Sequence, residues 1–248
     1  MAAILQRQLP HAPPTGRLPG IAPLRPEDWL QWDDAFGGQM QLRDTLLSSR
    51  RADVLRLDEA ARPAAEELLE TVLNVVSGRA DYRLAGQDVV RPDGVAVRIR
   101  PEDPLATLGR LVQEDFCILQ KPENATEHVL TGAVLCFPAG WTLSEKFMRP
   151  LAAIHGPVAE YDENLAPRVQ RLFDAIRPQQ PLWRTNWLIY ENPDLFAPRL
   201  ENDPRPATSG RGGYIRSERQ CLVRLPGTGA VVFSIHTFMV RRSVGNDG

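Results

Sequence analysis

A lone histidine, several arginines on strand-like runs and a few carboxylates are the residues of this chain with the most chemistry to offer. His155 stands in RPLAAIHGPV, where Gly156-Pro157 must end a helix and leave the imidazole on its last turn. A neutral imidazole is a good iron ligand. A helix exit can aim the ring into a cavity while its second nitrogen bonds a carbonyl. Arg184 in PLWRTNWLIYE, and Arg216 and Arg219 in IRSERQCLVRLP, lie on runs that alternate as strands do. Their planar guanidinium forks suit carboxylates. Together these residues could hold a buried iron cofactor, ligated by His155 and gripped at its acidic edges by the arginines. Spacing alone leaves that reading open: a lone histidine more often satisfies local hydrogen bonds, and polar-studded strands can simply present a wet face.

Strand periodicity sorts the polar side chains further. Arg184 shares a face with Asn186 and Leu188, opposite Trp183, Thr185 and Trp187. In the next run Arg216, Glu218 and Gln220 alternate with Ser217, Arg219 and Cys221. His236 falls with Val232, Ser234 and Phe238, whereas His11, in a proline-rich arm, and His128, beside a strand start, are expected at the surface. Glu114, Asp115 and Glu218 are the carboxylates that could handle protons, although carboxylates beside strands are usually solvated or ion-paired.

Several chemistries find no support. No HxxxH, HExxH or clustered Cys/His set would build an all-protein zinc or non-heme iron site. Neither GxGxxG nor GxxxxGK[ST] occurs, and the glycine-rich stretch at 209–213 follows no clear strand. The net charge of −2 carries no basic footprint for nucleic acid. Cys117, Cys136 and Cys221 are widely spaced in apolar runs and read as buried reduced thiols, which fits a reducing compartment. The N-terminal MAAILQRQLPHAPP is too short in continuous apolar sequence for a signal peptide or a membrane span. A cytoplasmic protein without nucleic-acid or membrane partners is the expectation, with oligomer formation left open.

The elements that must position these residues follow from the pattern. Residues 1–26, rich in proline, are expected to form an extended arm, and 27–248 a single α+β domain. Helices are expected from Pro26-Glu27-Asp28, through Leu42, Leu46 and Leu47, and over 63–77, which makes the N-terminal region mostly helical. Short strands follow around Val95–Ile99, Phe116–Leu119 and Val129–Phe137. Thr142-Leu143-Ser144-Glu145 fits a capping box opening a helix that Pro150 must bend or divide. A further helix over 163–177 precedes strands over 182–191, 214–225 and 230–240, the last two joined by a hairpin loop at 226–229. Residues 201–213 read as loop. The order argues for a largely antiparallel sheet flanked by helices.

The chain resembles the heme-dependent oxidative N-demethylase alpha-subunit-like family. The stretches that carry the resemblance are PGIAPL at 19–24, LVQEDFCIL at 111–119, CFPAGW at 136–141, KFMRPLAAIHGPV at 146–158, RTNW at 184–187, RSERQCLVRLP at 216–226 and VVFSIHTF at 231–238. The resemblance implies a PAS-like domain holding heme b. It implies an oxygen-activating component that demethylates a small secondary amine such as dimethylamine, with O2 as co-substrate and formaldehyde as co-product. Electrons would come from external flavin and iron–sulfur reductase subunits, for which no motif exists in this chain. On this resemblance His155 is the iron ligand, Arg184, Arg216 and Arg219 are candidates for the heme propionates, and Glu218 is the candidate catalytic contact to the amine or to oxygen. His236 departs from the family pattern, which has arginine there. The alternatives are a heme-based PAS-like sensor and a non-catalytic binding subunit.

Overall fold

A seven-stranded antiparallel sheet forms the middle of the molecule, with helices packed on both of its faces. The computed structural model describes residues 3–11, 20–155, 165–203 and 212–242, except for the side chains of His155, Leu165 and Ala166. In chain order the elements are β1 (Ala22–Pro23), α1 (Phe36–Ser49), α2 (Arg51–Val54), β2 (Leu55–Leu57), α3 (Arg62–Ser77), β3 (Arg83–Ala85), β4 (Asp88–Val90) and β5 (Ala96–Arg98). They continue with α4 (Pro104–Leu111), β6 (Asp115–Gln120), β7 (Val129–Val134), α5 (Leu143–Lys146), α6 (Leu151–His155), α7 (Leu165–Ala175), β8 (Leu182–Tyr190), β9 (Tyr214–Arg224) and β10 (Val231–Arg241). The large sheet runs β1-β8-β9-β10-β6-β7-β2, and β3-β4-β5 form a small antiparallel sheet beside it. The fold class is α+β.

Two apolar clusters explain why the sheet is sandwiched. On one face Phe116, Ile118, Cys221 and Val232 pack against α1, α3 and α4 through Met40, Leu47, Leu68, Val72, Leu105 and Leu108. The stripe of α3 is the clearest case: Ala65, Leu68, Leu69, Val72 and Val76 recur at helical spacing and are buried. Complete burial of Leu68 stabilises by roughly 2 kcal/mol relative to exposure. On the other face Cys117, Leu119, Val231 and Ile235 meet Leu143 of α5, Leu151 and Ile154 of α6, and Phe173 and Ile176 near α7.

Two local expectations meet different outcomes. Pro26–Asp28 forms a single 3-10 turn rather than a helix carrying Trp29 to Trp32. The backbone carbonyls of Asp28 and Trp29 are captured by the Arg219 guanidinium, at 2.7 and 2.9 Å, so they are not available for helical bonding. At 142 the helix does start, but the Thr142 hydroxyl donates to the Arg199 carbonyl instead of capping it. Helix α5 then stops after Lys146. Met148 takes φ 60°, the strand-like link bonds the backbone of Leu130 on β7, and a new helix, α6, follows Pro150. The proline therefore divides the helix, and α6 is described as far as His155. Residues 156–164 and 204–211, which hold the Gly156-Pro157 exit and much of the 201–213 loop, lie outside the described residues.

Candidate functional site

The register of three neighbouring strands decides which polar groups meet. Arg184 pairs with Gln220, Asn186 with Glu218 and Leu188 with Arg216 across β8 and β9. Glu218 pairs with Thr237 and Gln220 with Ile235 across β9 and β10. Directly opposed residues project to the same face of an antiparallel pair, so Arg184, Asn186, Arg216, Glu218, Gln220 and Thr237 share one wall. Ile235 belongs to the same face and packs in the cluster with Leu151 and Ile154 of α6. The backbone of α6, described as far as His155, thus lies on the side of the sheet that carries this wall; the ring of His155 is outside the described residues.

Hydrogen bonds link the wall into one network. Arg184 Nε donates to Gln220 Oε1 at 2.9 Å, and Gln220 Nε2 donates to Glu218 Oε2 at 3.0 Å. Asn186 Nδ2 donates to the same oxygen at 2.9 Å, while its Oδ1 accepts the Glu218 backbone N–H at 2.9 Å. Arg216 Nε reaches Glu218 Oε1 at 3.2 Å. The terminal nitrogens of Arg216 donate to the carbonyls of Leu195 and Phe137, so this guanidinium, 1% exposed, is taken up by the protein itself. Arg184 differs. It is half-buried, only its Nε is engaged, and its terminal nitrogens meet no acceptor among the described residues. Burial pulls its pKa below the usual arginine value, with the Glu218 charge pulling the other way. The Thr237 hydroxyl oxygen on the same wall is buried without a partner among the described residues.

Arg219 faces the opposite side of the sheet, as the alternation in RSERQ requires. Besides the carbonyls of Asp28 and Trp29 it reaches Cys221 Sγ, and its guanidinium carbon lies 5.0 Å from the Trp183 ring centroid. The structure therefore brings Arg184, Arg216 and Glu218 together and places Arg219 elsewhere.

A second polar cluster sits on that opposite side. His236 is 1% exposed, with Nδ1 3.0 Å from Glu114 Oε1 and Nε2 2.9 Å from Asp33 Oδ2. Asp33 also accepts from the side chains of Gln6 and Gln113 and from the Ala35 N–H. Burial alone would lower the pKa of His236, but the two carboxylates outweigh it and raise the value to about 9. Sequence reasoning placed His236 on the correct face and missed both partners, because Asp33 and Glu114 are distant in the chain. Asp115, the other proton-handling candidate here, is buried in an ion pair with Arg43 at 2.7 Å and accepts the N–H groups of Cys136 and Phe137. That arrangement serves structure.

Of the two histidines expected at the surface, one is buried and the other half-buried. His128 is 2% exposed, with Nδ1 2.9 Å from the Gln170 amide nitrogen and its ring 5.4 Å from that of Phe173. His11 is half-buried, with Nε2 2.8 Å from Ser217 Oγ. The reason is covering by distant elements, α7 over His128 and the sheet against His11. The three cysteines are free and buried, as their apolar settings suggested.

A surface groove of about 420 Å³ runs between α4 and β5. It holds none of the candidate residues, and its Arg51 is already paired with Asp103. We attach the functional reading to the β8–β9 wall, where charge and unmet hydrogen-bonding capacity coincide.

No helix among the described residues is long and apolar enough to cross a membrane. A sequence model of the family described as haem-dependent oxidative N-demethylase, alpha subunit-like, matches residues 20–243, and the chain belongs to that family.

Proposed function

We propose that this chain is the heme-binding, oxygen-activating component of an oxidative N-demethylase, with its cofactor placed between the β8–β9 wall and α6. The observation that carries the reading is Arg184: a half-buried guanidinium whose terminal nitrogens meet no acceptor among the described residues, on the side of the sheet that carries α6 (Leu151–His155). The residues present fit a heme, because they combine a guanidinium with no acceptor at its terminal nitrogens among the described residues with a histidine in α6 on the same side of the sheet. In this reading His155 ligates the iron and Arg184 pairs with a propionate. The terminal nitrogens of Arg216 and Arg219 already donate to backbone carbonyls, so the roles assigned to these residues are supporting ones: Arg216 holds Glu218, and Arg219 secures residues 28–29. When bound, heme supplies the redox chemistry that oxidises an N-methyl group with O2.

Glu218 is the proposed contact to the substrate. Its carboxylate is pinned by Arg216, Asn186 and Gln220, which leaves one acceptor direction on Oε1 for an N–H of a small secondary ammonium ion such as dimethylammonium. Formaldehyde is the expected co-product, and electrons enter from flavin and iron–sulfur subunits. A PAS-like topology and a cytoplasmic setting complete the proposal.

The test is the absorption spectrum of the protein as isolated, or after addition of hemin. A Soret band is expected in the wild type, and His155→Ala should abolish it or greatly weaken it. An unchanged band in that variant removes His155 as the ligand. Formaldehyde release from dimethylamine with a supplied reductant then tests turnover.

A further inference from the structure

The amide of Gln220 stands between a group that can only donate and a group that can only accept. Arg184 has no acceptor atom and ionised Glu218 has no donor. The two neighbours therefore fix the amide's orientation: Oε1 faces Arg184 Nε at 2.9 Å and Nε2 faces Glu218 Oε2 at 3.0 Å. Arg184 and Glu218 sit diagonally across β8 and β9, close enough for their charges to interact. Without the amide between them, the guanidinium is free to swing onto the carboxylate and form a direct ion pair. Because Nε is the donor that Gln220 occupies, the edge without a partner among the described residues is the one formed by the two terminal nitrogens. That edge is one of the two a carboxylate can take in a bidentate pair; the other, formed by Nε and one terminal nitrogen, serves the Arg79–Asp81 and Arg98–Asp88 pairs.

We propose that Gln220 is the positioning residue of this wall, holding Arg184 off Glu218 so that its terminal nitrogens receive one carboxylate of the ligand. The inference rests on the heme reading for the identity of that carboxylate, but not for the positioning itself. Charge on the wall supports a monoanion: Arg184 and Arg216 are cationic, Glu218 is anionic, and Arg216 is sealed by backbone carbonyls. The surplus positive charge is thus presented at Arg184. No other side chain of this length does the same job. Glutamate would place a second carboxylate against Glu218, and methionine, of similar shape, bonds neither neighbour.

The experiment uses the full-length protein and three variants: Gln220→Met, Arg184→Met and the double substitution. Each is titrated with hemin and with hemin dimethyl ester, which lacks free carboxylates. Loss of a charge-assisted contact should weaken hemin binding by about tenfold or more. Gln220→Met should lose nearly as much as Arg184→Met, the double variant no more than either, and the ester affinity should not change. Equal weakening of hemin and ester by Gln220→Met, or no weakening while Arg184→Met loses affinity, overturns the proposal.

A heme-free readout separates the two ideas. The Nε–H resonance of Arg184 should exchange slowly with solvent in the wild type and rapidly in Gln220→Met. If the wild type binds neither hemin nor its ester while that proton is protected, the heme reading fails and the positioning role stands. Rapid exchange in the wild type sinks the positioning role whatever the cofactor.

Discussion

Replacing His236 by glutamine probes the most densely charged part of the core. The imidazole is buried with a carboxylate on each nitrogen, Glu114 at 3.0 Å and Asp33 at 2.9 Å. An ionised carboxylate only accepts, so both ring nitrogens must carry protons. Burial works against that charge, yet the two carboxylates raise the pKa from 6.5 to about 9. At 1.36 kcal/mol per pKa unit, the difference is worth about 3 kcal/mol of stability. The folded value is the higher one, so this stability is fully present below about pH 6.5 and is lost as pH rises through about 9.

The buried thiols complicate a direct measurement. Burial raises Cys136 and Cys221 to about 12, so they too weaken the fold on the alkaline side once the unfolded thiols ionise. The difference between wild type and His236→Gln isolates the histidine. Urea unfolding of both proteins from pH 6 to 9 should give a gap that is largest at pH 6 and shrinks by about 3 kcal/mol by pH 9. In parallel, the His236 Cε1–H proton should titrate near pH 9. A gap that stays constant across this range, with the ring titrating near 6.5, refutes the reasoning.

Two further substitutions test the packing behind the site. Asp115→Asn keeps an acceptor for only one of the Cys136 and Phe137 N–H groups, which bond to different carboxylate oxygens, and leaves the fully buried Arg43 charge unpaired; it should cost about 3–5 kcal/mol in urea unfolding, and a loss below about 1 kcal/mol contradicts the ion pair. Gly109→Ala, in α4, would set its Cβ 2.7 Å from Val134 Cγ2 and 2.9 Å from Leu47 Cδ1. The intrinsic helix gain of about 1 kcal/mol should be outweighed by overpacking of roughly 1–3 kcal/mol, which a lowered melting temperature would show.

The strands that build the wall were legible because their information is local. The period of two in 182–191, 214–225 and 230–240, with a Pro-Gly-Thr-Gly loop between the last two, predicts β8, β9 and β10 to within a residue or two. The same period places Arg184 with Asn186 and sets Arg216 against Arg219. What it does not contain is how each donor is spent. Arg184 and Arg219 look alike in sequence, yet the second is consumed by the carbonyls of residues 28 and 29, far away in the chain. His128 was misplaced for the same reason. A histidine's exposure depends on what folds over it, and α7 covers His128 through Gln170 and Phe173.

The failure of 26–32 to form a helix has its cause in β9 and β10. Arg219 and His236 are directly opposed across those strands, which sets a guanidinium beside an imidazolium. Like charges in that relation destabilise a sheet. The opposing segment answers both: the carbonyls of Asp28 and Trp29 turn onto Arg219, and the Asp33 carboxylate onto His236. A helix through these residues would bury its carbonyls in its own hydrogen bonds and take the Asp28 and Trp29 carbonyls away from Arg219. Register therefore does double duty in β9. One set of alternate residues fastens the N-terminal segment, and the other carries Arg216, Glu218 and Gln220 to the wall. A one-residue slip would exchange the two sets. Glu67 of α3 opposes that slip by accepting the N–H groups of Gly227 and Thr228 in the β9–β10 turn, at 2.6 and 2.8 Å, which fixes the hairpin from a helix on the far side of the sheet.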